Sequence, residues 1–123
     1  MVVVFEGGRD RLAPEEKLNF DLAKAMSGND MPYATLMYIW ENHFPEGAII
    51  SHHFTTRIKM IVVAGGRKDV GTWQDERVNL LYDYRRAFGE EPPRVRAVGI
   101  MSDSDNTGAR TVAWYGDIRF ERR

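Results

Sequence analysis

The stretch "YATLMYIW", residues 33–40, limits what this chain can fold into more than any other. Read as a strand, it places Ala34, Leu36, Tyr38 and Trp40 on one face and Tyr33, Thr35, Met37 and Ile39 on the other. Both faces are largely apolar. A strand of that kind needs cover on both sides, so it belongs at the centre of a sheet.

The neighbours can be read from the same kind of pattern. Residues 2–6, "VVVFE", form a β-branched run closed by the turn signal "GGRD". Pro14 suits the first turn of a helix, Leu18, Leu22, Ala25 and Met26 follow at spacings of three and four, and Gly28 and Asn29 stop it. Residues 48–53 read as a short edge strand. Residues 57–64 read as another, with Ile58, Met60, Val62 and Ala64 inward and Arg57 and Lys59 outward.

A second helix is expected over 79–88, with Leu80, Leu81, Tyr84 and Phe88 on one stripe, Gly89 as its stop and "EEPP" blocking continuation. Two last strands are expected near 94–102 and 110–120. On the final one Val112, Trp114, Gly116, Ile118 and Phe120 share a face, and Thr111, Ala113, Tyr115, Asp117 and Arg119 share the other. Trp40 and Trp114 are expected in the core. Strands outnumber helices, so the expected fold is mainly β: an antiparallel β-sandwich with one or two short helices.

The chain has 123 residues, which is one domain, 1–123. Its 43% hydrophobic and 28% charged residues place it among globular rather than disordered or fibrous chains. A net charge of −1 leaves no basic stripe for phosphate backbones, so no nucleic acid partner is expected. No apolar run approaches the roughly 20 residues of a membrane span. Cysteine is absent, which removes disulfides and thiolate chemistry together. The start "MVVVFEGG" lacks the basic, long-apolar form of a signal peptide. It opens almost at once into a strand, so the expectation is that further strands precede it. The first strand would then present an unpaired edge and favour self-association.

The loop "SDSDNTG" carries the sharpest chemical question. Asp103, Asp105 and Thr107 alternate and Gly108 follows, as in the first half of a calcium loop. Position twelve from Asp103 is Trp114 rather than glutamate, so this is not an EF-hand. A structural calcium completed by Asp117 on the adjoining strand remains one reading. A polar turn between two strands, with Gly108 supplying a positive φ, is the other.

His43, His52 and His53 do not form a metal set by spacing, because adjacent strand residues point to opposite faces. Paired carboxylates such as Asp75 with Glu76, or Asp103 with Asp105, would suit a hydrolase only across a cleft. Aromatic residues on sandwich faces can stack on sugar rings, which singles out Trp73, Tyr33 and Tyr38 as candidate ligand contacts. Trp73, in a polar segment beside Gly71 and Thr72, is the one expected to be exposed.

"DYRRAFGEEPPRVRAVGIMSDSDNTG" and the following "AWYGDIRF" resemble the C-terminal half of a bacterial family catalogued as domain of unknown function 3047. "PYATLMYIW" and "VGTWQDERVNLLYDYRRAFG" resemble it too, while Ser102 and Ser104 stand where the family pattern has threonines. The resemblance implies that the chain is the C-terminal part of a longer domain. It implies similarity to galactose-binding-like jelly rolls, in which an aspartate on the last strand, here Asp117, helps hold calcium. It also implies an exported, periplasmic or secreted setting. The function expected is a non-catalytic module for carbohydrate or another cell-envelope ligand, with a hydrolase of envelope polymers or a purely structural interaction domain as alternatives.

Overall fold

The apolar stretch at 33–40 does become the central strand. The computed structural model describes residues 1–104 and 106–122, with strands β1 (Val2–Phe5), β2 (Ala34–Trp40), β3 (Ile49–His52), β4 (Thr55–Ala64) and β5 (Val95–Gly99). Helices α1 (Pro14–Ser27) and α2 (Leu80–Phe88) complete it, with a 3-10 turn at Arg9–Arg11. The strands form one sheet in the order β3-β4-β2-β1-β5.

The sheet is mixed rather than antiparallel. β2 pairs with β4 in parallel, Tyr38 beside Ile61 and Met37 beside Met60, while every other pairing is antiparallel. β4 slots between β2 and β3, so the chain passes to the outer strand first and returns inward. Local pattern carries no information on that choice. The expected unpaired edge at the first strand is corrected as well, because β1 lies between β2 and β5 and pairs with both. The open edges belong to β3 and β5.

The two faces of the sheet differ. Val3, Phe5, Ala34, Leu36, Tyr38 and Ile61 share one face and are buried. Val2, Val4, Met37, Ile39, Ile58 and Met60 on the other stay half-buried. α2 covers the buried face through Tyr84, fully buried with its ring 4.5 Å from that of Phe5. Asn79 caps α2 by accepting from the Tyr82 N–H, and Gly89 ends it with φ +69, as the sequence implies.

α1 begins at Pro14 and ends at Gly28 (φ +74), but its inward stripe is not the expected one. Phe20 and Glu16 are buried, while Leu18, Leu22 and Met26 are exposed. The Glu16 carboxylate explains the rotation. It accepts from Thr55 Oγ1 (2.9 Å) and from the Thr56 N–H (2.9 Å) and hydroxyl, tying α1 to the start of β4.

β4 ends beside the end of β2. The Glu41 N–H donates to the Ala64 carbonyl (2.9 Å) and the Gly66 N–H to Asn42 Oδ1 (2.8 Å). A Cβ on Gly65 would stand 1.9 Å from the Glu41 carbonyl oxygen, so only glycine allows this approach.

The expected last strand is corrected too. Among the described residues 100–122 there is no strand, and Val112, Trp114, Ile118 and Phe120 are exposed. An extended segment without a paired neighbour gains neither ladder hydrogen bonds nor burial. For that reason Trp114 is 75% exposed instead of core. Trp40, also expected in the core, is paired with Ala64 at the very end of β2 and is 43% exposed. No helix among the described residues is long and apolar enough to cross a membrane.

Candidate functional site

The strongest polar constellation lies under α2, and it was missed by strand alternation. Arg57, expected outward, has only 11% of its side chain exposed. Its Nη2 donates to Glu90 Oε1 at 2.7 Å and its Nε to the Tyr33 carbonyl at 2.9 Å. The guanidinium also lies 4.3 Å from the Tyr33 ring centre and 4.9 Å from that of Phe88. Glu90 further accepts from the hydroxyls of Tyr84 (2.7 Å) and Tyr33 (3.1 Å). Residues from β4, the start of β2 and α2 thus converge on Glu90, just past the end of α2.

Electrostatics fit a closed structural knot rather than a reactive centre. Burial pushes the Glu90 carboxyl up, but hydrogen bonds from Arg57, Tyr84 and Tyr33 outweigh it and hold it below the usual range. Burial and the Glu90 charge push the Tyr84 hydroxyl well above its ordinary value. Both Glu90 oxygens accept hydrogen bonds from within the protein. Tyr38 follows the same logic, with its hydroxyl donating to Asp83 at 3.1 Å inside the core.

Tyr33 and Tyr38 therefore sit in the interior, 3% and 5% exposed. Trp73 is 73% exposed, and its ring edge covers Gly116, with Cζ3 3.5 Å from where a Cβ would stand. Gly116 directly follows Trp114 and Tyr115 in the chain, and both of these are exposed as well. The Tyr115 hydroxyl is anchored, donating to the Met101 carbonyl at 2.6 Å with Ser102 Oγ 2.9 Å away. Trp73 and the aromatic tail are thirty or more residues apart, and only the fold joins them.

Of the loop, residues 106–108 form a turn and bend. The Thr107 hydroxyl donates to the Ser104 carbonyl at 2.8 Å, and Asn106 (φ 54) and Gly108 (φ 71) carry the bend. Asp117 pairs with Arg119 at 2.7 Å. Asp105 lies outside the described residues. Among the described residues no group of three or more His, Asp or Glu stands together to hold a metal ion. Asp75 and Glu76 are both exposed, in the irregular segment between β4 and α2.

The family described as "Protein of unknown function (DUF3047)" matches residues 1–119. No curated protein and no solved structure matches the chain. With almost the whole length covered, the chain belongs to the DUF3047 family.

Proposed function

We propose that this chain is a non-catalytic, β-rich module that binds carbohydrate or another polymer of the bacterial cell envelope. The observation that supports it most is Trp73, a large aromatic ring left exposed against Gly116, which follows Trp114 and Tyr115 in the chain. An exposed aromatic ring with polar side chains close by in the chain, such as the Asp117–Arg119 pair that follows Gly116, suits stacking on a sugar ring. Tyr33 and Tyr38 serve this reading from within the core, as support for the sheet rather than as contacts.

The finer fold reading, a galactose-binding-like jelly roll, rests on the family resemblance. It calls for a second sheet, and the apolar alternation over 110–120 is the part of this chain suited to join one. A periplasmic or secreted setting belongs to the same reading. A structural calcium at Asp103, Asp105, Thr107 and Asp117 would require Asp117 to turn from Arg119.

The test is a glycan array carrying envelope polysaccharides, probed with the chain and with Trp73→Ala. Binding that falls about tenfold in the variant, at unchanged melting temperature, supports the proposal. No retained glycan, or equal binding by the variant, overturns it.

A further inference from the structure

The tip of the β3–β4 hairpin carries a second aromatic group that the sequence pattern concealed. Strand alternation sends His52 and His53 to opposite faces, but β3 ends at His52, and His53 and Phe54 form the connecting turn. The His52 and His53 rings stack at 4.5 Å, and the Phe54 ring lies 4.0 Å from that of His53. The Phe54 N–H donates to His52 Nδ1 at 3.3 Å, which holds the first ring in place. Phe54 is 75% exposed.

These residues are a poor choice for the turn itself. Two-residue hairpin loops favour Asn-Gly or Gly-X, because the twist of the strands calls for positive φ. Here neither His53 nor Phe54 adopts positive φ. The turn takes the less favoured geometry and presents rings where a small residue would serve better.

Beside the rings is a depression of about 270 Å³ lined by His52, His53, Phe54, Glu15, Asn19 and the Glu16–Thr55–Thr56 cluster. Glu16 is fully engaged and stays ionised: burial pushes it up, but the Thr56 and Thr55 hydrogen bonds hold it below the usual range. Glu15 and Asn19 make no side-chain hydrogen bond or ion pair to the described residues, which leaves a carboxylate and an amide for a ligand. No lysine or arginine lines the depression. Aromatic faces beside carboxylates, without a competing cation, select a ligand with an apolar face and a positive group.

We infer that this hairpin tip is a subsite for an amino sugar, one ring stacking on the exposed Phe54 with its ammonium toward Glu15. The inference deepens the saccharide reading and rests on it, but uses residues other than Trp73. Its test is calorimetric titration with a β-1,4-linked glucosamine tetramer and with its N-acetylated counterpart. The wild-type chain is expected to bind the amine form about tenfold more tightly, and Phe54→Ala and Glu15→Gln each to weaken it about tenfold, with Leu81→Ala, exposed on α2 and away from the depression, within about twofold. Circular dichroism on each variant confirms the fold, since Phe54 and Glu15 are both exposed. No binding of the amine tetramer, equal binding of the acetylated one, or unchanged binding in both hairpin variants overturns the subsite. Loss in Trp73→Ala alone would overturn it while leaving the function proposed for the Trp73 surface intact.

Discussion

Arg57 and Glu90, thirty-three residues apart, meet at 2.7 Å with the Tyr33 ring stacked on the guanidinium. The pair fastens the end of α2 to the inner strands, and two tyrosine hydroxyls also donate to the Glu90 carboxylate. Breaking one partner leaves the other partly buried and uncompensated. Arg57→Met is therefore expected to destabilise the chain by about 2–3 kcal/mol, and Tyr84→Phe by about 1–2 kcal/mol. Urea unfolding checks both. A change below about 0.5 kcal/mol for Arg57→Met would remove the knot from the account of stability.

The same carboxylates set a pH dependence. Glu90 and Glu16 have folded-state values below those of the unfolded chain. Their stabilisation is fully present above the unfolded value of about 4.3 and is lost as pH falls through the folded values. The urea midpoint should hold steady from neutral pH down to about pH 5 and then drop. In the double variant Glu16→Gln, Glu90→Gln the drop should be shallower; an identical acid profile would assign it to other groups.

Gly65 is expected to tolerate no side chain. A Cβ there meets the Glu41 carbonyl oxygen, a backbone atom held by the parallel β2–β4 pairing. Gly65→Ala should cost at least about 2 kcal/mol and lower the melting temperature by several degrees. Thermal melts read this directly. An alanine variant as stable as the wild type would mean that the strand ends are not joined in this way.

β5 offers an open edge with Val95 and Val98 each 40% exposed, close in sequence to the unpaired apolar tail. Edges of this kind pair with other strands. Sedimentation velocity should detect concentration-dependent association, and Val98→Lys should shift the distribution toward monomer. Unchanged monomer at high concentration would show that the tail or the twist of β5 already guards the edge.

Most local elements were legible in the residues alone. The central strand, the start of α1 at Pro14, the Asn79 region opening α2, and the glycine stops at Gly28 and Gly89 follow from short-range rules, and the structure has them. These features depend on neighbours within a turn or two. Inward faces were less legible. Alternation turned Arg57 outward and periodicity turned Leu18 and Leu22 inward, and both were reversed by partners far along the chain, Glu90 in one case and Thr55 and Thr56 in the other.

The candidate surfaces divide in the same way. Trp73 was marked by its polar surroundings, but its position over Gly116 joins two irregular segments that no periodicity relates. The stacked rings at His52–Phe54 depend on where β3 stops, a boundary that a one-residue change in register would move. By itself, then, the sequence determined the two helices and the strands up to β5, the central place of residues 33–40 and the kinship of the chain. Tertiary structure alone decided the parallel β2–β4 pairing, the buried Arg57–Glu90 knot and the exposure of the tail. The reason is physical: pairing order and burial are settled by competition among all segments for partners and cover, which no local pattern encodes.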